Sequence, residues 1–134
     1  MAETSHRALW ILRILSALFL LTTGGIHLYL AFNGVGGILG VMFILNGIAG
    51  VVLAIAMVAL RGRLLQVATV LSLLFLIATL GALLLALTVG LFGIHETWDF
   101  TLVPQTVVIE AIGIVVLAVT TALMLRRQPA LAAR

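Results

Sequence analysis

Long apolar runs separated by short polar breaks dominate the pattern along the chain. They cover about residues 8–32, 38–60, 64–89 and 104–125. Each run matches or exceeds the roughly 20 residues that a helix needs to cross the hydrocarbon core of a bilayer. The pattern predicts an all-α protein in which residues 1–134 form one domain, a bundle of four transmembrane helices.

The breaks between the runs contain residues that favour turns and helix starts. Residues 33–37 comprise an asparagine, a valine and three glycines, and Arg61-Gly62-Arg63 separates the second run from the third. The longest break ends at Pro104, which suits the first turn of a helix because proline lacks an amide hydrogen that would go unused there. Short connections of this kind predict helical hairpins.

Composition supports a membrane location and excludes several classes of function. Of the 134 residues, 64% are hydrophobic and 8% are charged, whereas about a quarter are charged in soluble proteins. The chain has no cysteine, which excludes disulfides, thiolate metal sites, thiol redox chemistry and covalently attached c-type haem. The net charge of +3 comes from arginines that flank apolar runs, which favours contact with anionic lipid over a nucleic-acid partner.

All seven basic residues are arginines, and all fall on one side of the four predicted spans. Positively charged residues collect on the cytoplasmic side of membrane proteins, so the distribution predicts that both termini are cytoplasmic. One of them falls slightly inside the first run, where a long guanidinium side chain can reach the headgroups, and it is assigned no function. The seven are Arg7, Arg13, Arg61, Arg63, Arg126, Arg127 and Arg134.

Small residues recur at spacings that allow close helix packing. Membrane helices associate through van der Waals contact, and small residues let their backbones approach each other. We favour packing within the bundle, and a contact with a second copy or a partner protein remains open. The residues are Ala78, Ala82, Ala86 and Gly90 near the third span, and Gly36, Gly40, Gly47, Gly50 and Ala54 near the second.

A polar cluster of His27, Asn46 and Glu110 is expected in the half of the bundle opposite the arginines. At 1.5 Å per residue, His27 and Glu110 lie roughly 8 to 9 Å below the outer boundary, and Asn46 lies slightly deeper. Ionisable groups inside a bilayer tend to face each other or a cavity. With no lysine or arginine on this side, a His27–Glu110 hydrogen bond is predicted, either as a lock between two helices or as part of a functional site.

The longest break adds His95, Glu96 and Asp99, and it could fold over the bundle as a lid. Histidine and carboxylate side chains ligate divalent metals, and haem iron can take two histidines. His27, His95, Glu96 and Glu110 are therefore a candidate set of metal ligands. No spacing places two of them on one helical face, and a solvated loop is the simpler interpretation.

Several segments together resemble a group of small four-helix membrane proteins from high-GC, actinobacterial-type bacteria. The resemblance implies a multi-pass protein of the bacterial plasma membrane and implies no activity. The segments are Gly25-Ile26-His27-Leu28, Phe43-Ile44-Leu45-Asn46, Gly90-Leu91-Phe92-Gly93-Ile94-His95-Glu96-Thr97-Trp98, and Glu110.

Three functions remain open on the sequence. The first is a non-enzymatic component or accessory subunit that packs against a larger membrane complex or forms a homo-oligomer. The second is a metal- or haem-binding redox protein that uses the four candidate ligands. The third is a proton-coupled carrier in which Glu110 titrates, although four short spans would have to oligomerise to enclose a path. Catalysis by a serine nucleophile has little support, since Ser5, Ser16 and Ser72 lie away from the polar cluster.

Overall fold

Four helices account for most of the chain. The structure, a computed structural model, describes residues 2–127, so Arg134 lies outside the described residues. Each helix is long and apolar enough to cross a membrane. The all-α fold with four spans is thereby confirmed, and the chain is a multi-pass membrane protein. The helices are α1 (Ala2–Phe32), α2 (Gly37–Ala59), α3 (Gly62–Thr88) and α4 (Val103–Arg126).

The helix limits differ from the apolar runs mainly at the start of α1, which begins at Ala2 rather than near residue 8. Hydropathy identifies the residues that prefer lipid. The first residues of α1 are mostly polar, so they lie outside the apolar run although they are helical. Glu3 lies in the first turn, where a negative charge interacts favourably with the helix dipole. Pro104 lies in the first turn of α4, as the sequence predicts.

Consecutive helices run antiparallel, and α4 packs back against α1. The α1/α2 interface is the most extensive of the four, and the α2/α3 interface is the least extensive. One end of the bundle, which we call the arginine end, holds the start of α1, the α2/α3 turn and the end of α4. The other, the loop end, holds residues 33–36 and 89–102.

Glycines bring α1 and α2 into direct backbone contact. A Cβ atom built on Gly24 would lie 2.9 Å from the carbonyl oxygen of Gly47, and one built on Gly50 would lie 3.0 Å from the Cα of Gly24. Neighbouring backbone cannot move aside as a flexible side chain can. The small-residue face of α2 is therefore used inside the bundle, as favoured from the sequence.

The small residues of α3 behave differently from those of α2. Ala78 is exposed, Ala82 is half-buried and Ala86 is buried. Ala82 and Ala86 line a cavity near the loop end. Their small size leaves space between α3 and its neighbours.

Arg13 joins α1 to the end of α2. Its guanidinium donates hydrogen bonds to the carbonyl oxygens of Met57 at 2.8 Å, Val58 at 3.1 Å and Leu60 at 2.9 Å. The same group lies 4.6 Å from the centre of the Trp10 ring. The last carbonyls of a helix have no partner within the helix. Arg13 thus satisfies the end of α2, a structural role that its position in the sequence did not reveal.

Candidate functional site

A cavity of about 130 Å³ lies among the four helices at the loop end of the bundle. All four helices and the α3/α4 loop contribute to its wall, which is mainly apolar. The residues of the polar cluster, His27, Asn46 and Glu110, all line it. The other lining residues are Ile26, Leu30, Leu39, Met42, Phe43, Thr79, Ala82, Leu83, Ala86, Leu91, Ile94, Glu96, Phe100, Thr101, Val103 and Thr106.

The imidazole of His27 is held by its own helix and by α2. Its Nδ1 lies 2.8 Å from the carbonyl oxygen of Thr23, one turn earlier in α1. Because a carbonyl oxygen can only accept, Nδ1 carries the hydrogen, and Nε2 is an acceptor in the neutral ring. Phe43 packs edge-on against the imidazole, with the two ring centres 4.9 Å apart. These two contacts fix the orientation of the ring.

Glu110 is the most unusual side chain of the site. It is 0% exposed, and neither of its carboxyl oxygens has a hydrogen-bond partner within residues 2–127. Buried polar groups are normally paired, since an unpaired one costs about 1 to 3 kcal/mol, and more when charged. The hydrogen bond predicted between Glu110 and His27 is therefore wrong in this structure. The Thr23 carbonyl occupies the His27 Nδ1–H, and the two side chains instead face a common cavity.

Asn46 connects α2 to α3 at the cavity wall. Its Nδ2 donates to the hydroxyl of Thr79 at 3.1 Å, and that hydroxyl donates to the carbonyl of Phe75 at 2.8 Å. The side-chain oxygen of Asn46 is buried and has no partner in the part of the chain that the structure describes. One N–H of the Asn46 amide therefore links α2 to α3, and the amide oxygen remains an acceptor without a partner.

The α3/α4 loop supplies one end of the cavity wall, the position expected for a lid. The amide of Glu96 donates to the carbonyl of Ala86 at 3.0 Å, which fastens the loop to the end of α3. Leu91 and Ile94 pair through two backbone hydrogen bonds of 2.9 and 2.8 Å. Glu96 is partly buried beside the cavity, and this burial raises the pKa of its carboxyl above the usual value.

His95 points away from the site that its neighbours form. Its side chain is exposed and is not part of the cavity wall. The imidazole packs against Gly90, where a Cβ atom would collide with the ring. Gly90 has φ +87° and Phe92 has φ +52°, so the turn that places His95 depends on left-handed backbone that hydropathy does not reveal.

The candidate metal ligands are divided by this arrangement. His27, Glu96 and Glu110 line the cavity and His95 does not. Nowhere in residues 2–127 do three histidine, aspartate or glutamate side chains lie close enough together to hold a metal ion. The cavity volume of about 130 Å³ is close to that of an engineered cavity of about 150 Å³ that accepts benzene. A porphyrin is larger than benzene and would not fit in a cavity of this size. The arrangement thus gives no geometric support to the metal or haem interpretation, which stays a prediction.

Two threonines add to the site beyond the residues singled out from the sequence. Thr106 lies one turn before Glu110, is buried, and donates to the carbonyl of Leu102 at 2.7 Å. Thr23 is fully buried and its hydroxyl has no partner within residues 2–127. Spacing of four residues from Glu110 and His27 placed both threonines on the same faces. Threonine is common in membrane helices, so this spacing alone did not mark them.

Comparison with known proteins gives no match to a family model, to a curated protein or to a solved structure. The resemblance to small actinobacterial-type membrane proteins therefore remains an interpretation of the quoted segments. The site is a mainly apolar cavity whose wall contains a buried carboxyl group without a partner among the described residues.

Proposed function

We propose that the protein is a non-enzymatic component of the bacterial plasma membrane that works as an accessory subunit of a larger assembly or as a homo-oligomer. Two glycines with open space beside them, the exposed Gly25 and the half-buried Gly81, carry the proposal. A Cβ atom on Gly25 of α1 or Gly81 of α3 would meet no atom of residues 2–127 within 4 Å. Glycines used inside the bundle, such as Gly24, meet backbone instead. Glycines with open space beside them offer a neighbouring helix a place for close approach.

The hydroxyl groups of Ser16 and Ser72 give no support to catalysis by a serine nucleophile. Ser16 and Ser72 are fully buried, and each donates to a carbonyl of its own helix, Leu12 or Ala68, at 2.7 Å. A serine nucleophile requires a neighbouring base that accepts its proton. His27, the buried histidine, instead lines the loop-end cavity, in a different part of α1 from Ser16.

Association should depend on Gly25 and Gly81. In native membranes, chemical crosslinking is expected to place the wild-type chain in a defined species larger than its 14.2 kDa. The double variant Gly25→Leu/Gly81→Leu should lose most of that species, because leucine blocks close approach without disturbing the bundle. Ala111→Leu/Ala118→Leu on the exposed face of α4 is the matched control. A wild-type chain that stays monomeric, or a glycine double variant that associates normally, contradicts the proposal.

The proposal includes the orientation predicted by the arginines, with both termini cytoplasmic. Because the natural chain has no cysteine, a single introduced thiol can be labelled without background. A membrane-impermeant maleimide added to intact spheroplasts should label Thr97→Cys in the α3/α4 loop and should label Glu3→Cys only after lysis. Both positions are exposed. The opposite labelling pattern would place the loop end in the cytoplasm and refute the orientation.

A further inference from the structure

Among the described residues, the buried side-chain atoms of the cavity wall that lack a partner are oxygens, which accept hydrogen bonds when the carboxyl group is ionised. Both oxygens of Glu110 and the side-chain oxygen of Asn46 lack partners within residues 2–127. Most of the donors beside them are already engaged, and one of the two N–H groups of the Asn46 amide is not. His27 Nδ1 and the hydroxyls of Thr79 and Thr106 donate to the carbonyl one turn earlier in their own helices, and Asn46 Nδ2 donates to Thr79. A molecule that complements this wall must therefore bring donors.

The charge distribution adds a second requirement. Every arginine among residues 2–127 lies at or near the arginine end, and the chain has no lysine. An ionised carboxylate that is buried without a partner is strongly unfavourable, and a cation within hydrogen-bonding distance offsets that cost. The described part of the bundle places no arginine beside Glu110, so an external cation would be its complement.

The rest of the cavity selects for an apolar body of limited size. Most of the lining side chains are hydrocarbon, among them Leu30, Leu83 and Ile94. The volume of about 130 Å³ approaches that of the engineered cavity of about 150 Å³ that admits benzene. A single aromatic or alicyclic ring with a short polar substituent matches both the size and the surface.

The seam between α2 and α3 offers a route from the membrane to the cavity. This interface is the least extensive of the four. Met42 on α2 lines the cavity and is 39% exposed. Its unbranched side chain can change conformation easily. A ligand that partitions into lipid could therefore pass beside Met42.

We propose that the cavity is a binding site for a small lipophilic amine taken from the membrane. The ammonium group donates hydrogen bonds to Glu110 and Asn46, and the hydrocarbon ring contacts the apolar wall. This inference is independent of the association proposed above, because the cavity lies within one chain and Gly25 and Gly81 do not line it. Failure of either proposal leaves the other standing.

Three single-ring compounds whose polar groups differ in charge test the preference directly. Benzylamine is the cationic donor, benzyl alcohol is its neutral counterpart, and benzoate is the anion. Their binding is measured by calorimetry on the full chain in nanodiscs of zwitterionic phosphatidylcholine, with empty nanodiscs to subtract partitioning into lipid. We expect benzylamine to bind saturably, about tenfold to hundredfold more tightly than benzyl alcohol, and benzoate to bind no better than it does to empty nanodiscs.

Two variants separate the contribution of the Glu110 carboxyl group to binding from the contribution of the cavity volume. Glu110→Gln keeps the shape of the side chain and should reduce the preference for benzylamine over benzyl alcohol to less than threefold. Ala82→Leu should reduce the binding of both compounds at least tenfold, because the larger side chain fills the cavity. Ala78→Leu, one turn away on the exposed side of α3, should bind as the wild type does. Comparison of Ala82→Leu with Ala78→Leu tests the site even where Glu110→Gln fails to fold.

Several results would contradict the proposed amine-binding site. Equal affinity for benzylamine and benzyl alcohol would show that the carboxyl group does not select the ligand. An unchanged preference in Glu110→Gln would place amine binding elsewhere on the protein. Absence of saturable benzylamine binding by the folded wild type, or equal binding by Ala82→Leu and Ala78→Leu, would show that the cavity does not accept the amine.

Discussion

Leucine in place of Gly24 is expected to lower the free energy of unfolding by about 3 kcal/mol or more, because an overpacked core has to displace its neighbours. The atoms in the way belong to the α2 backbone: the Gly47 carbonyl oxygen at 2.9 Å and the Gly50 Cα at 3.4 Å from the added Cβ. Relief of this clash requires the separation of α1 from α2. Because this is the most extensive interface of the bundle, the variant should unfold or lose its defined packing.

The adjacent glycine provides a matched control. Gly25 lies in the same turn of α1, but an added Cβ would meet nothing within 4 Å in the described part of the chain. Gly25→Leu should therefore keep or raise the stability, because leucine favours a helix by roughly 0.8 to 1 kcal/mol over glycine. Unfolding by SDS titration in bicelles, followed by circular dichroism, measures both variants. Equal loss of stability in the two would contradict the packing of α1 on α2 through Gly24.

Methionine in place of Glu110 is expected to raise the free energy of unfolding, by about 1 to 3 kcal/mol, because it removes an unpaired buried polar group. Methionine is similar in length and leaves the apolar wall intact. The same substitution should abolish the preference for benzylamine over benzyl alcohol. A gain in stability together with a loss of binding would show that Glu110 binds a ligand and lowers the stability of the fold.

Thr106→Val, one turn before Glu110 on the same face of α4, is the control for this measurement. Its hydroxyl donates to the Leu102 carbonyl at 2.7 Å, so its removal should give no comparable gain. If Glu110→Met instead lowered the free energy of unfolding by 1 kcal/mol or more in the same SDS titration, the carboxyl group would have to be paired within the bundle. That outcome would restore the His27–Glu110 lock that the sequence suggested.

The spans and the burial of the polar cluster follow from short-range features of the sequence. Apolar runs of sufficient length indicate the four helices, and helical spacing places His27 and Glu110 on interior faces at similar depth. The partner of each side chain does not follow from spacing, because it depends on the rotation of each helix and on the rotamer. His27 shows the difference, since a carbonyl of its own helix takes the hydrogen expected for Glu110.

Two further features depend on contacts or backbone conformations that no local pattern displays. The position of Arg13 in the sequence predicts a side chain that reaches the headgroups. In the structure its guanidinium donates hydrogen bonds to carbonyls at the end of α2, more than 40 residues along the chain. His95 reads as a candidate ligand, yet the left-handed backbone at Gly90 and Phe92 turns it away from the cavity. In both cases the chemistry of the side chain was visible, and its location was not.

Binding of an amine in the loop-end cavity would place its ammonium group against Glu110. Nuclear magnetic resonance of the isotope-labelled chain in phosphatidylcholine nanodiscs tests it most directly, through nuclear Overhauser effects between benzylamine and the protein. We expect contacts from the benzylamine methylene group to the Glu110 side chain, and from the ring to Leu83 and Ile94. Contacts confined to exposed residues such as Ile55 or Val115, with none to Glu110, would contradict it.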